Sequence, residues 1–529
     1  MANTTAASKR VKSLFTRLQN QILTNETLVF HPAVGNHHRF FVNPSRIQRQ
    51  WPRFRKPVRK CPYTAQLSPK FHCMQRRSFL KTTGLLTTGA VLAKPADLYA
   101  HAAPLEKNER VIILGAGISG LAAAHYLHRK GVPFTVLEAR NRVGGRIFTH
   151  TIDEPSGLHV ELGAEWVGAS HGRMISLCKE LGLNLLDHTF QGSVLQKEKY
   201  HPASTLIRNK DWEHKYQTLL ERFRHMDEKE KKSLDKIDWW RYLVKQGIPQ
   251  PELDWHELND STDFGESIRN VSAYAGIAEY AESSPNNEMD YKIEGGNSQI
   301  TNKLTNVIGV NTIQINKKVI QVNQTGRQVE VVCEDGTKTT GHRVVCTLPA
   351  VAVSGIQWNP ALPEAKTEAL QQLQYARIIK SSVLFRERFW KDESLSIISD
   401  TLPHYFFHTT KNQSGTKGVL TSYAVGDKAY IFSMLSNEQK IKQICQALKP
   451  AFGEVEAYAE KTASHYWGDD AYTQGAYANY DVGQWYGLRE AIAKPFRNIL
   501  FTGEHVADWQ GFMEGAAQTG QDAAKALAG

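Results

Sequence analysis

Three glycines, a serine and one acidic residue carry the clearest chemical signal in the sequence. Gly115, Gly117 and Gly120 form a Gly-x-Gly-x-x-Gly motif that contains Ser119, and Glu138 follows about 20 residues later. In a dinucleotide-binding motif the first glycine permits a tight turn, the second lets the backbone approach a pyrophosphate, and the third allows helix and strand to pack closely. A carboxylate at the end of the next strand binds ribose hydroxyls. These residues therefore predict a site for the adenosine half of a dinucleotide.

The segments around this motif have the patterns needed to position it. Residues 110–114, Arg-Val-Ile-Ile-Leu, contain an apolar run typical of a strand that is buried on both faces. A helix-forming segment over 121–130 ends at Gly131, and a second apolar run covers 134–137. The order strand, helix, strand favours an α/β fold of the Rossmann type.

A second cluster of glycines and arginines follows directly after the acidic residue. Arg140, Gly144, Gly145 and Arg146 lie in the run Ala-Arg-Asn-Arg-Val-Gly-Gly-Arg over 139–146. Glycines permit close backbone approach, and guanidinium groups match phosphate oxygens with paired hydrogen bonds. The run resembles the second flavin fingerprint of the flavin-containing amine oxidase family, which includes the monoamine oxidases. The resemblance implies that FAD is the cofactor and that these residues hold its pyrophosphate and ribityl chain.

The order of motifs resembles that family over nearly the whole chain after residue 108. By resemblance, Val319 meets the adenine through its backbone and Glu504 contacts the ribityl and phosphate part. Phe512 and Met513 begin a helix whose positive N-terminal end would stabilise an anionic reduced flavin. The further positions that the resemblance assigns to the FAD site are Gly163, Ala164, Glu165, Trp166, Val319, Gly503, Glu504, Phe512 and Met513.

Lys380, Tyr477 and Phe512 are the predicted catalytic residues. Lys380 lies in an apolar strand, where an unpaired lysine is costly unless it has a function or a partner. The resemblance implies that it holds a water against flavin N5. Tyr477 and Phe512 match two aromatic side chains that sandwich the amine, exclude water and align the reacting C–H bond. The second position is often tyrosine in the family, so Phe512 is a departure from the pattern.

Two further departures concern cofactor attachment and membrane binding. Ala476 stands where the mitochondrial monoamine oxidases carry the cysteine that bonds FAD covalently, which implies non-covalent FAD. Those enzymes continue into a C-terminal membrane helix, whereas this sequence stops at Gly529, so we expect a soluble protein without a stable membrane anchor. The cysteines show no Cys-x-x-Cys pair and no Cys/His spacing that suits a metal, and no metal site is expected.

The expected reaction is the oxidation of a primary monoamine or diamine. Hydride transfer to flavin N5 gives an imine, water hydrolyses it to aldehyde and ammonia, and dioxygen is reduced to hydrogen peroxide. Glu165, Trp166 and Tyr477 are the predicted substrate contacts. Trp166 stands where L-amino acid oxidases often place a carboxylate-binding arginine, which argues against amino acids. Glu165 attracts the second ammonium of a diamine in one interpretation and bonds to nearby backbone in the other. L-amino acid oxidase and polyamine oxidase remain alternatives, as does an exported flavoprotein without oxidase turnover.

The charge distribution separates the front of the chain from its body. The first 102 residues hold 17 Lys+Arg and two acidic residues, which exceeds the whole formal net charge of +11, and the mildly acidic remainder argues against nucleic acid as a partner. Met74 is followed by a twin-arginine pair and a short apolar stretch, so residues 74–102 resemble a twin-arginine export signal with cleavage after Ala100 or Ala102. Residues 1–73 are interpreted as a basic leader that is disordered or not part of the native protein. We expect a periplasmic or secreted protein that uses the twin-arginine export machinery.

The motif order also predicts the domain organisation. A discontinuous FAD-binding domain covers 103–170, 290–360 and 470–529, with a Rossmann-like fold similar to the GR2 type of p-hydroxybenzoate hydroxylase. An α+β substrate-binding domain covers 171–289 and 361–469. The expected fold class is therefore α/β, and a homodimer is an open alternative to a monomer.

Overall fold

The computed structural model describes Asp97, Tyr99 and residues 104–206 and 208–529. The predicted leader, the twin-arginine pair and both predicted cleavage sites lie outside the described residues. Tyr99 belongs to the range assigned to the signal, yet its side chain is fully buried and its hydroxyl donates a hydrogen bond to the backbone carbonyl of Phe501. The Tyr99 side chain therefore contributes to the core.

A parallel sheet of five strands lies at the centre of the nucleotide-binding part. In order across the sheet, the strands are Ile499–Phe501, Arg343–Cys346, Val111–Leu114, Phe134–Leu137 and Ile313–Gln314. Val111–Leu114 is buried at every residue, as a strand covered on both faces requires. The predicted helix spans Ile118–Arg129, and Gly131 follows with a φ of +67°, a left-handed conformation that suits glycine at a helix end. The strand–helix–strand prediction is confirmed.

The two faces of this sheet are covered by different layers. Ile113 and Val136 pack against one layer, whose helices are Ile118–Arg129, Ser298–Ile308 and Met513–Ala528. We call the last of these the closing helix. Ile112 and Leu114 pack on the other side, with Val322 of a smaller sheet. The strands of that sheet, in order, are Lys338–Gly341, Gln328–Cys333, Val319–Thr325 and Gln357–Asn359. The parallel sheet is thus the middle of three layers.

A second large sheet has seven strands, all of them from the ranges that the sequence analysis assigns to the substrate domain. In order, they are Ala459–Tyr466, Ile378–Phe385, Gly418–Val425, Tyr405–His408, Leu395–Ser399, Gln191–Gln196 and Lys199–His201. Only Leu395–Ser399 and Gln191–Gln196 pair in parallel. Ile378–Phe385 is buried over its whole length and carries Lys380.

Most of the range 171–289 is helical, apart from its short strands. Its helices are Gly172–Glu180, Lys210–His225, Glu228–Leu234, Trp239–Lys245, Gln250–Phe264 and Ala273–Glu282. The other helices are Ala350–Ser354, Glu364–Gln372, Gly426–Ser433, Asn437–Phe452 and Leu488–Ala493. Short strands pair as Thr149–Asp153 with Leu158–Glu161, Leu185–Asp187 with Tyr291–Ile293, and Gln374–Tyr375 with Ala478–Asn479.

Within the described part of the chain, none of the helices combines the length and apolar character that crossing a bilayer requires. Cys178, Cys333, Cys346 and Cys445 are buried free thiols. Burial raises the pKa of Cys178, Cys346 and Cys445 to about 12, so these thiols are poor nucleophiles. Across 104–206 and 208–529, histidine, cysteine and carboxylate side chains form no group of three that could hold a metal ion.

Candidate active site

One cavity of about 490 Å³ gathers nearly all of the predicted site residues. Those on its lining are Gly115, Gly117, Ser119, Glu138, Arg140, Gly144, Gly145, Arg146, Gly163, Ala164, Glu165, Trp166, Val319, Lys380, Tyr477, Gly503, Glu504, Phe512 and Met513. Gly120 lies behind the lining. A Cβ there would be 2.0 Å from the carbonyl oxygen of Gly115, so Gly120 permits the close packing of helix on strand that the motif requires.

The two glycine motifs meet at one end of this cavity. A Cβ on Gly117 would have no heavy atom within 4 Å, so the backbone there faces open space. A Cβ on Gly145 would be 3.3 Å from the Gly117 Cα, and the N–H of Gly144 donates to the carbonyl of Ala116 at 2.9 Å. Exposed backbone with open space in front of it fits a pyrophosphate group.

Glu138 is fixed beside the glycine motif. Its two carboxylate oxygens accept hydrogen bonds from the backbone N–H groups of Ala116, at 2.7 Å, and Arg140, at 2.8 Å. Burial raises the pKa of Glu138, although these two hydrogen bonds act in the opposite direction. The carboxyl group is therefore held at the cavity wall, where it suits the ribose hydroxyls of a nucleotide.

Arg140 and Arg146 line the cavity, and each is held by a carboxylate. Arg140 donates to both oxygens of Asp470, at 2.8 and 2.6 Å, and Arg146 donates to Glu504 at 2.6 Å. Arg142 instead donates to three backbone carbonyls of its own loop. Contact with phosphate stays a prediction for the two lining arginines. Asp470 lies 330 residues from its partner and in no motif, so its role could not be predicted from the sequence.

Glu504 organises the loop that precedes the closing helix. Its second oxygen accepts a hydrogen bond from the N–H of Gly511 at 2.9 Å. Burial opposes ionisation, but Arg146 outweighs it, so the pKa of Glu504 is lowered. Phe512 and Met513 both reach the lining at the start of the helix, and the positive end of its dipole therefore faces the cavity. Negative charge that develops there is stabilised.

A buried carboxylate lies between two lysines beside the cavity. The Nζ of Lys292 is 2.6 Å from one oxygen of Glu165, and the Nζ of Lys380 donates to the other. Burial lowers the pKa of Lys380, against the opposing effect of Glu165. Burial alone would raise the pKa of Glu165, but the two lysines outweigh it and lower that pKa. Glu165 is therefore ionised.

The two lysines are partners of Glu165 that neither interpretation of the sequence suggested, and contact with a substrate ammonium stays a prediction. A substrate ammonium and nearby backbone were the expected partners, whereas Lys292 and Lys380 occupy both carboxylate oxygens. A buried carboxylate needs cationic or hydrogen-bonding partners, and these two come from distant segments of the chain. Lys292 is a residue that the sequence analysis did not assign to the site. The available signal was its place among apolar neighbours in the short strand Tyr291–Ile293.

Aromatic rings surround the ammonium group of Lys380. Its Nζ lies 5.7 Å from the ring centroid of Trp166 and 5.9 Å from the centroids of Phe407 and Tyr423. Trp166 also packs on Phe407, with 5.1 Å between ring centroids. The faces of these rings attract a cation and keep water away from it. Trp166 thus belongs to the wall around Lys380.

Tyr477 and Phe512 line the same cavity, and each ring is fixed by its own contacts. The Tyr477 hydroxyl donates to the backbone carbonyl of Asp263. Its ring lies against Gly511, where a Cβ would be 3.0 Å from the ring. The Phe512 ring packs edge-on against His171, at 5.0 Å between centroids, and against Trp509, at 5.7 Å. Burial lowers the pKa of His171 to about 4, so the ring that supports Phe512 is neutral.

Three acidic side chains that carry no motif also line this cavity: Asp263, Glu279 and Glu288. Glu288 accepts hydrogen bonds from the backbone N–H groups of Ser170 and Ser284, and we call the other two the acid pair. Burial raises the pKa of Asp263 to about 7, although the Tyr280 hydroxyl donates to it at 2.7 Å. Burial, together with Asp263 and Glu288, raises the pKa of Glu279 well above its usual range. No lysine, arginine or histidine of the described residues forms an ion pair with either. The acid pair thus has unmet capacity for a cation.

Comparison with known proteins identifies the family. A model of the flavin containing amine oxidoreductase family matches residues 118–528. Amine oxidase [flavin-containing] B of Bos taurus is 27% identical over 469 residues, which cover 79% of this chain and 85% of that protein. An amine oxidase [flavin-containing] of Oncorhynchus mykiss is 27% identical over 459 residues and covers 78% of this chain and 85% of its own length.

Solved structures share the fold. Wild-type putrescine oxidase bound to putrescine matches with a TM-score of 0.70 and 23% identity, and covers 79% of this chain and 98% of its own. Cyclohexylamine oxidase from Brevibacterium oxydans IH-35A matches with a TM-score of 0.70 and 20% identity, and covers 80% of this chain and 99% of its own. The two glycine motifs, Glu138 and the closing helix fit FAD, which this family uses. The chain belongs to the flavin-containing amine oxidoreductases and is an FAD-dependent oxidoreductase that acts on amines.

Proposed function

We propose that this protein oxidises primary amines that carry a second cationic group, of which a diamine is the simplest. Amine, dioxygen and water would give aldehyde, ammonia and hydrogen peroxide. The observation that supports this substrate class is the acid pair, Asp263 and Glu279, in the same cavity as Lys380, Tyr477 and Phe512. One cavity therefore offers an aromatic site for the reacting amine and acidic groups for the second one.

The residues of the chain position the amine and control water and protons. When bound, FAD supplies the centre that accepts a hydride from the carbon next to the amine nitrogen and passes the electrons to dioxygen. Tyr477 and Phe512 are held by their neighbours and restrict the orientations open to the amine. Lys380 donates a hydrogen bond from its Nζ to Glu165, and the rings around it limit access of water.

The acid pair suits a second ammonium group for an electrostatic reason. A cation close to a carboxyl favours its ionised form, so a bound ammonium would lower the raised pKa of Asp263 and Glu279. The new ion pair would offset the cost of burying these groups. A substrate carboxylate in the same place would meet like charge, which disfavours L-amino acids. Trp166, in place of a carboxylate-binding arginine, acts in the same direction.

Putrescine and butylamine form a matched pair of substrates, since they differ only in the second amine. We expect hydrogen peroxide release with both and a much higher kcat/KM with putrescine. Glu279→Gln should reduce the putrescine-to-butylamine ratio of kcat/KM roughly 10- to 100-fold, because a buried charge pair is lost. Asp254→Asn, an exposed position on the helix that carries Asp263, is the control and should leave the ratio unchanged. Equal rates for the two amines, unchanged in Glu279→Gln, would refute the role of the acid pair, and no turnover of any amine would refute the oxidase.

We infer that FAD is held without a covalent bond. Ala476 lines the cavity and offers no sulfur to the cofactor. Acid precipitation of the purified protein should therefore release all of its flavin into the supernatant. Flavin that stays with the precipitate would contradict this inference.

We also propose export through the twin-arginine machinery to the periplasm or beyond. The support is the sequence Arg76-Arg77 followed by a short apolar stretch. Replacement of both arginines by lysine should retain the protein in the cytoplasm of a bacterial host. Equal amounts of both forms in the periplasmic fraction would refute this route.

A further inference from the structure

A second cavity lies next to the active site, on the other side of the buried lysines. Its volume is about 270 Å³, and the titratable side chains on its lining are His159, His188, Lys292, Glu294 and Lys411. Lys292 also donates to Glu165, which lines the active-site cavity together with Lys380. Lys292, Glu165 and Lys380 therefore form a continuous hydrogen-bonded chain between the two cavities, which we call the lysine bridge.

His188 is a buried polar side chain on the lining of the second cavity. Its side chain is buried, at 1% exposure, and neither ring nitrogen has a hydrogen-bond partner among the described residues. Burial, with Lys292 and Lys411 acting in the same direction, lowers the pKa of His188 far below its usual range. The ring is therefore neutral and presents one N–H donor and one nitrogen acceptor. A buried polar group without a partner is costly, and water can satisfy both nitrogens at once.

The second cavity is large enough for several waters, since each occupies about 30 Å³ in the liquid. Polar atoms to bind them are present on several sides, because Thr409, Asn412 and Gln413 also line the cavity. Water there would contact the Nζ of Lys292 and continue the hydrogen-bonded path away from Glu165. The bridge would thus reach water without passing through the space that the substrate occupies.

We propose that the second cavity is a water-filled reservoir of protons for the active site and that Lys292 is the positioning residue that connects it, through Glu165, to Lys380. This inference rests on the proposed oxidase function. Oxidation of the amine to its imine releases two electrons and two protons, and reduction of dioxygen to hydrogen peroxide consumes both. One proton moves with the electron pair as hydride, and the second must be delivered separately. In the proposal, Lys380 gives that proton and regains it from Lys292 through Glu165, while water in the second cavity reprotonates Lys292.

Other ionisable groups surround this path and take part in its pH dependence. Those that face the lysine bridge from neighbouring elements are Glu161, His159, His188, His408, Lys411, Tyr405 and Tyr423. Glu161 is the one that responds near neutral pH, because burial raises its pKa to about 7. Thr149 and the N–H of Asn297 hold its carboxyl group in place.

Water in the second cavity can be observed without turnover. A high-resolution crystal structure of the FAD-loaded protein should show ordered waters within hydrogen-bond distance of both His188 ring nitrogens and of the Lys292 Nζ. A dry cavity, or one whose walls have closed, would overturn the proposal. This measurement does not depend on any variant or on the identity of the amine.

Kinetics with Lys292 variants test the connection itself. Lys292→Met should leave the rate at which the amine bleaches the flavin within about twofold of the unmodified protein. The recovery of flavin colour with dioxygen should slow roughly 100-fold, which is the lower end of the range for a positioned proton donor. Its recovery rate should also respond differently to pH between 6 and 9, and Lys292→Arg, which keeps the positive charge but cannot give up a proton, should recover no faster than Lys292→Met. Lys366→Met removes another buried lysine, which donates to the carbonyls of Ala491 and Ile492, and should leave both rates unchanged.

The two proposals fail in different ways. If the unmodified protein oxidises no amine, the oxidase function is refuted, whatever the second cavity contains. If it oxidises amines and Lys292→Met recovers its colour at the normal rate and pH profile, the oxidase stands and the lysine bridge is refuted. If Lys292→Met does not fold, Lys292→Arg and the crystal structure decide, since normal recovery in the arginine variant or a dry cavity would overturn the proposal.

Discussion

Replacement of Glu165 by glutamine would remove the charge between two buried lysines and keep the shape of the side chain. Lys292 and Lys380 would then share a buried site with no anion in contact with them. Removing one partner of a buried ion pair costs about 3–5 kcal/mol, because the remaining charge stays desolvated. We expect the free energy of unfolding at pH 7 to fall by this amount. Urea unfolding of FAD-loaded protein, at fixed FAD and followed by tryptophan fluorescence, would measure it.

The loss of stability should depend on pH with a defined sign. Glu165 raises the pKa of Lys380, so in Glu165→Gln the folded-state pKa falls further below the value of 10.5 for the unfolded chain. Between these two values the unfolded chain binds more protons, and stability rises with pH. The deficit of the variant should therefore shrink from pH 7 to pH 10. In the unmodified protein, the lowered pKa of Glu165 gives stability above pH 4.5 that is lost as the pH falls through its folded-state value.

An exposed carboxylate provides a matched control. Glu221 also lies beside two basic side chains, Arg224 and His225, but all three are at the surface. Glu221→Gln should leave the unfolding curve unchanged, because solvent screens such pairs. If Glu165→Gln costs no more than Glu221→Gln, or if its deficit is the same at pH 7 and pH 10, then the two lysines are not buried around an ionised carboxylate.

Two further predictions concern the nucleotide end of the molecule and the segment before residue 104. Gly117→Ala should unfold normally without cofactor but bind FAD less tightly, since its Cβ enters the open space in front of the backbone. Gly120→Ala should instead lose about 1–3 kcal/mol of stability, because its Cβ meets the Gly115 carbonyl. Dye-based thermal melts and flavin titration would separate these effects. Normal FAD affinity in Gly117→Ala would contradict the inference that the open backbone at Gly117 accommodates the pyrophosphate. A protein that starts at Ala103 lacks Tyr99 and should be less stable than one that starts at Asp97 by about 3–5 kcal/mol, as for loss of a buried aromatic side chain. Equal urea midpoints for the two would show that Tyr99 contributes nothing to the core.

The sequence could predict those parts of the site whose chemistry depends on local spacing. Gly115, Gly117 and Glu138 lie within one strand–helix–strand unit, so a single stretch of chain defines their geometry. Lys380 was recognisable because a lysine inside an apolar strand needs an explanation. In each case a local sequence pattern indicates what the backbone or the side chain requires.

The parts that could not be predicted are contacts between distant segments. Glu165 contacts Lys292 and Lys380, which lie 127 and 215 residues away. No local sequence pattern in the three segments predicts that these residues contact one another. Asp263 and Glu279 lie on helices, where a carboxylate is ordinarily solvated. Only the packing of those helices over the cavity makes the two residues neighbours of a substrate, and helical periodicity does not encode it.

The ion pair between Arg146 and Glu504 joins parts of the chain that are 358 residues apart. Glu504 in turn holds Gly511, and the closing helix begins two residues later. The pocket for the cofactor is therefore incomplete until the ribosome has made almost all of the protein. A chain that terminates early, before Met513, would be unable to retain flavin, so capture of the cofactor reports that synthesis is finished.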